Sequence, residues 1–289
     1  MNAHSEIEAS TTRDLSAWIG ATETREGRLN EELAGMLAAA TGHARSRTAD
    51  CGSGEAMPAL WHWAAFPEFS AMSELGDDGH PRRGGFLPPV PLPRRMWAGG
   101  ELRFDGALKI GEPLQRSSRI EAVDANEGGA GPMYFVRVRH RIEGADGQID
   151  ERQDIVYLNI PDRFRAPKAL VPPAAPAFEE HVEASPQRLF RFSAATFNTH
   201  RIHYDRTYAI EVEKYPALVV HGPLQAILLM EAATRHAGAA PRSFRFKGVH
   251  PMFDTEPLRL LGVRDGDAYD LCTATSDHQG LVARMEWVQ

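Results

Sequence analysis

The sequence predicts an α+β protein of two halves, each a helix wrapped by a curved antiparallel sheet. Three observations lead there. A helical apolar repeat occurs once in each half, each repeat is followed by a run of strand-like segments, and the links between those segments are too short for crossover helices. A length of 289 residues with 43% hydrophobic and 25% charged residues fits two domains or one large one with a sizeable core.

The elements follow in chain order. Leu29, Leu33, Met36, Leu37 and Ala40 fall at helical spacing and Gly42 lies just past them, so 29–40 reads as an amphipathic helix. From Met57 to Arg95 the chain is rich in Trp, Phe, Pro and Gly, including Trp61-His62-Trp63 and Leu87-Pro88-Pro89-Val90-Pro91-Leu92-Pro93, and reads as a long loop anchored by aromatics. Strands are expected near 99–108, 112–124, 132–144 and 149–160, with clear alternation from Tyr134 to Ile142. Pro167, Pro172, Pro173, Pro176 and Pro186 make 166–186 a stiff linker that resists ladder formation, which gives an N-terminal domain of 1–165 and a C-terminal domain of 187–289. In the second domain a strand is expected at 187–196. A helix follows at 222–237, with Leu224, Ile227, Leu228 and Glu231 at helical spacing, and strands near 243–249, 257–264, 268–275 and 280–288 close the chain.

Composition excludes several functions. A net charge of −7 offers no field for a polyanion, so nucleic acid is not an expected partner. The longest apolar stretch, 218–230, is broken by His, Gly, Pro and Gln, so no membrane span is expected. The opening Met1-Asn2-Ala3-His4-Ser5-Glu6-Ile7-Glu8 is polar and acidic, unlike a secretory signal, and Cys51 and Cys272 alone build neither a disulfide framework nor a zinc site. A cytoplasmic protein with free thiols is expected. No phosphate loop, dinucleotide glycine fingerprint, HExxH helix or nucleophile elbow is present, which leaves chemistry without a cofactor.

The densest polar cluster in an apolar setting is Phe197-Asn198-Thr199-His200-Arg201-Ile202-His203-Tyr204-Asp205, followed by His221-Gly222-Pro223 at the start of the second helix. Histidine can take and give a proton near neutral pH, and an amide such as Asn198 can orient a water. That pairing suits the addition or removal of water. Pro223 has no N–H, so Gly222 is the helix-start amide best able to meet a developing negative oxygen. Asp205 is expected to cap a short helix at 206–208, and His221 to be a buried histidine bonded to a loop carbonyl. His200 and His203 lack further ligands at a familiar spacing, so no metal is expected.

The stretch Phe192 to Asp205 together with Val219-Val220-His221-Gly222-Pro223-Leu224 resembles the hydratase signature of the MaoC-like double hot-dog family, in its hydroxyacyl-thioester dehydratase type 2 and mesaconyl-CoA (itaconyl-CoA) hydratase branch. Weaker likeness at Trp18-Ile19-Gly20, Leu60-Trp61-His62-Trp63 and Arg94-Arg95-Met96-Trp97-Ala98-Gly99 extends it over most of the chain. The resemblance implies a lyase acting on an acyl-CoA thioester and built as a double hot dog. In it Asn198 and His203 hold the water, His203 moves the proton and the Gly222 amide stabilises an enolate-like oxygen. Substrate contacts are expected from His200, Arg201, Tyr204 and His221, and from Arg94 or Arg95 if the acyl group carries a carboxylate or CoA its phosphates. Asn198 stands where the wider family has Asp. The branch implies mesaconyl or itaconyl thioesters hydrated to citramalyl thioesters. A fatty-acid dehydratase, a hot-dog thioesterase and a non-catalytic thioester-binding subunit are the alternatives, and a homodimer is expected from open sheet edges.

Overall fold

The computed structural model describes residues 15–43, 51–128 and 131–287, so the opening segment read for export lies outside the described residues. Ten strands form one antiparallel sheet: β1 (Thr22–Gly27), β2 (Arg94–Gly106), β3 (Leu114–Gly128), β4 (Gly131–Glu143), β5 (Gly147–Leu158), β6 (Phe178–Val182), β7 (Pro241–Gly248), β8 (Leu258–Asp265), β9 (Ala268–Ala274) and β10 (Gln279–Trp287). Their spatial order is β1-β3-β4-β5-β2-β7-β10-β9-β8-β6. Where two separate sheets were expected, the halves join edge to edge through β2 and β7, with Gly99 opposite Lys247 and Arg103 opposite Ser243.

Glycine makes that seam possible. A Cβ on Gly99 would lie 2.5 Å from the Phe246 carbonyl oxygen, so the strands approach where a side chain would hold them apart. Gly99→Val is therefore expected to destabilise the protein by about 1–3 kcal/mol, the usual cost of overpacking. The check is the urea unfolding midpoint, and an unchanged midpoint would show that the seam tolerates the bulk.

The α-helices among the described residues are α1 (Glu31–Thr41), α2 (Pro186–Thr196) and α3 (Gly222–Ala237), of which α3 packs on β7 to β10. Asn30 caps α1, its Oδ1 accepting from Leu33 N at 2.8 Å, and Gly42 ends it at φ 76°. With only eleven residues α1 is short, and it packs on α2 instead of running the length of the sheet as a long central helix would. The central element is α3, in which every residue from Leu224 to Ala233 is buried. It is also pinned by polar contacts: the Glu231 carboxylate accepts from Trp61 Nε1 at 2.9 Å, and Gln225 Oε1 accepts from Thr273 Oγ1 at 2.7 Å.

Two local readings are corrected. Residues 187–196 form α2 and not a strand, because Pro186 starts the first turn and Leu189, Phe192, Ser193 and Ala195 repeat at helical spacing toward the core. The proline-rich stretch does hold a ladder, since β6 fits into the proline-free gap between Pro176 and Pro186 and pairs with β8. Short β1, whose polar residues carry no apolar alternation, escapes the sequence reading. No helix among the described residues is long and apolar enough to cross a membrane.

Candidate active site

The polar segment 197–205 is shaped by the end of α2. Phe197 adopts a left-handed conformation at φ 51°, Asn198 N donates to Ser193 O at 2.8 Å, and Asn198 Oδ1 accepts from His200 N at 2.9 Å. A single 3-10 turn, Arg201–His203, then sends side chains to opposite sides. His200, Ile202 and His203 go inward, whereas Tyr204 is exposed and Arg201 is held at the surface by Asp205 at 2.7 Å. Asp205 caps the next turn, as expected, with Oδ1 accepting from Tyr208 N at 3.0 Å. That turn, Tyr208–Val212, is π-helical.

His203 has one possible tautomer in this setting. Its Nδ1 lies 2.7 Å from the Val219 carbonyl oxygen, which can only accept, so Nδ1 carries the hydrogen and Nε2 keeps its lone pair. Burial pulls its pKa down to about 4, against the opposing pull of the Val219 carbonyl, and neighbouring His80 lowers it further. His203 is thus a neutral base at physiological pH. Its ring stacks on His221 with centroids 3.7 Å apart. Fully buried His221 meets the Ser193 hydroxyl at 2.8 Å instead of the expected loop carbonyl, and burial followed by the His203 charge keeps its pKa well below the usual value.

A second group arrives from the long loop. Gly79 sits at φ 89° against the 199–201 segment, where a Cβ would fall 1.9 Å from Thr199 O. Arg201 N donates to Asp78 O at 2.9 Å, the Thr199 hydroxyl donates to Gly79 O, and Arg201 Nη1 donates to Asp77 O at 3.0 Å. This docking lays the His80 ring against His200, with centroids 4.1 Å apart, while Asp78 Oδ2 holds His80 Nδ1 at 3.0 Å. Asp78, His80 and His200 bring ligand-type atoms within 4.8 Å of one another and are the described residues that could hold a metal ion. The sequence reading missed Asp78, His80 and Ser193. The one available signal was Gly76-Asp77-Asp78-Gly79-His80, a glycine-bounded turn with ionisable residues inside an otherwise aromatic loop.

His221 occupies the N-cap position of α3, and the first helical hydrogen bond is that of Gln225 N to His221 O at 3.1 Å. The amides of Gly222 and Leu224 precede it and have no acceptor within the helix. Open space adjoins Gly222, where an added Cβ would meet nothing within 4 Å.

The two arginines at the start of β2 part ways. Arg94 is buried, with Nε on Glu213 Oε2 at 2.7 Å, Nη2 on Glu213 O, and its guanidinium over the Tyr215 ring at 4.6 Å. Its charge is matched by Glu213, so Arg94 is a structural residue and the expectation that it meets a ligand is withdrawn. Alternation along the strand turns Arg95 the other way, toward His80, His200 and Tyr157. Arg201 and Tyr204, also expected at the ligand, face outward, and Tyr204 Oη donates to Thr199 O at 3.0 Å.

The sequence profile of the family described as hydroxyacyl-thioester dehydratase type 2 matches residues 60–254. The chain is 44% identical over 263 residues to the mesaconyl-C(4)-CoA hydratase of Chloroflexus aurantiacus, covering 90% of this chain and 93% of that one. It is 28% identical to the mitochondrial hydroxyacyl-thioester dehydratase type 2 of Schizosaccharomyces pombe, over 78% of this chain and 84% of that one. Among solved structures, a MaoC-like dehydratase from Phytophthora capsici superposes with a TM-score of 0.68 at 11% identity, covering 93% and 96% of the two chains. A Mycobacterium tuberculosis protein with a double hotdog fold gives 0.54 at 15% identity, covering 94% and 96%. At those identities the structural matches speak for the fold alone.

Proposed function

The chain belongs to the hydroxyacyl-thioester dehydratase type 2 family, and from that premise we propose that it hydrates a short dicarboxyl enoyl-CoA thioester, adding water to mesaconyl-CoA or itaconyl-CoA to give citramalyl-CoA. The class of reaction is that of its relatives, a hydro-lyase acting on an acyl thioester. The observation that carries the reading is His203, a neutral base whose Nδ1 is occupied by Val219 O and whose Nε2 is left free beside the start of α3.

In this reading Asn198 and His203 hold the water. With mesaconyl-CoA, whose C=C bond is conjugated with the thioester carbonyl, the water oxygen bonds to the β-carbon as one O–H bond breaks and that proton passes to His203 Nε2. The electron pair of the C=C bond moves toward the thioester carbonyl, and the Gly222 N–H donates to the enolate-like oxygen. The imidazolium then returns the proton to the α-carbon, so the base regenerates and the atoms balance. Burial helps here: an imidazolium with a depressed pKa gives up its proton readily. His200, packed between His80 and His203, lines the same space.

The first half, through residue 165, shapes the acyl space and supplies the loop bearing His80, and the second half carries the base. The open edges β1 and β6 support a homodimer. The test is a panel of enoyl-CoA thioesters followed by loss of conjugated absorbance and by product mass. Hydration of mesaconyl-CoA or itaconyl-CoA is expected to exceed that of long linear chains. Hydration confined to long chains, or release of free CoA without hydration, would overturn the reading.

A further inference from the structure

Beside the histidine cluster lies a cavity of about 240 Å³ lined by Arg25, Arg82, Arg83, Arg95 and Arg116, with Glu23 and Glu68 as its carboxylates. Five guanidiniums facing two carboxylates make a local excess of positive charge in a chain whose net charge is −7. Most of these cations have work already. Arg25 binds Glu23 at 2.8 Å and lies 3.6 Å from Glu68, Arg116 lies 3.8 Å from Glu23, and Arg83 donates to the carbonyls of Val90, Leu92 and Pro93. Arg82 reaches only the Leu75 carbonyl, at 3.3 Å, from the exposed rim.

Arg95 is different. Among the described residues it forms no ion pair within salt-bridge distance, yet it is half-buried, and it is near enough to Asp78, His80 and His200 for its charge to lower the pKa of each. On the wall of the same cavity Arg116 Nε is buried without an acceptor. An unmatched buried donor of this kind is costly unless a ligand meets it. A long hydrocarbon would strip water from the Arg95 guanidinium without replacing it, whereas a short acyl group ending in a carboxylate supplies an acceptor.

We infer that this cavity receives the free carboxylate of the acyl group and that Arg95 is the specificity-determining residue that binds it. The inference rests on the dicarboxyl reading of the function. It also places the two ends of the substrate: the carboxylate at Arg95, on the loop side of the histidine cluster, and the thioester carbonyl at the start of α3.

The experiment compares Arg95→Gln with the wild type on mesaconyl-CoA, on crotonyl-CoA, which lacks the carboxylate, and on inhibition by free CoA, which carries the phosphates but no acyl group. Loss of a charged hydrogen bond predicts a fall of about 10- to 150-fold in kcat/KM on mesaconyl-CoA, with crotonyl-CoA turnover and the CoA inhibition constant nearly unchanged. Arg95→Lys is expected to recover part of the loss, since it restores the charge but not the planar fork. An equal loss on both substrates together with weaker CoA inhibition would assign Arg95 to the phosphates and overturn the inference, as would no loss on either. If the wild type itself hydrates no dicarboxyl thioester, it is the proposed function that fails, and the wild-type rows of the same data set reveal it.

Discussion

Replacement of His203 by alanine is expected to lower hydration about 100- to 10,000-fold, the range general acid–base catalysis contributes, while the chain stays folded. Loss of the imidazole also leaves the Val219 carbonyl without its donor, so His203→Ala should cost some stability as well. His203→Gln separates the two effects, because an amide can still donate to Val219 O but cannot carry a proton. Near-wild-type turnover in His203→Gln would remove His203 from the chemistry. The working form is the neutral ring with a pKa of about 4, so hydration in the wild type should lose this base only as pH falls toward that value. Asn198→Asp puts a carboxylate beside the cluster, which raises the His203 pKa and moves this acidic fall-off to higher pH, and an unmoved profile would show that residue 198 does not sense His203.

The strands and the central helix were legible because their signals are local. Alternation from Tyr134 to Ile142 places Tyr134, Val136, Val138, His140 and Ile142 on the buried face of β4, and α3 begins at the Gly222-Pro223 pair that marked its start. The misread segment, 187–196, is short and mixes Arg with Phe, so five or six residues of alternation imitate a strand. Pro186 at its head, in the first turn, and the helical repeat of Leu189, Phe192, Ser193 and Ala195 distinguish the helix and outweigh the apparent alternation. The continuous sheet was illegible for another reason: pairing of β2 with β7 joins residues some 140 positions apart, and no local pattern encodes a seam made by the absence of Cβ at Gly99.

The site divides in the same way. Asn198, His200, His203 and His221 lie within one stretch and the helix start that follows it, so residue chemistry alone singled them out. Asp78 and His80 come from more than a hundred residues earlier and reach the cluster only because Gly79 lets the loop touch Thr199. Arg94 and Arg95 could not be told apart from the sequence. Their separation depends on which face of β2 meets Glu213, itself delivered by the π-helical turn that Asp205 caps.

Glu151→Ala is expected to destabilise the fold by about 3–5 kcal/mol, the cost of breaking a buried charged network by removing one partner. Glu151 lies on β5 with almost no exposure, and its carboxylate accepts from His62 Nε2 at 3.0 Å, Trp63 Nε1 at 2.9 Å and Gln153 Nε2 at 2.8 Å. Two of those donors belong to the 3-10 turn Trp61–Ala64, whose Trp61 is bonded in turn to Glu231 of α3, so the carboxylate ties the sheet to the helix that heads the site. Burial alone would push its pKa up. The hydrogen bond from His62 and the charges of His62 and His140 outweigh it and hold the carboxyl down at about 2. Because that value lies below the ordinary unfolded one of about 4.3, the stabilisation is complete above the unfolded value and is lost as pH falls toward 2. Urea unfolding of wild type and Glu151→Ala at pH 7 and again at successively lower pH measures this. The gap between them should be widest at pH 7 and should narrow below pH 4, and a gap that is absent at neutral pH, or that widens in acid, would show that the carboxylate does not hold the turn.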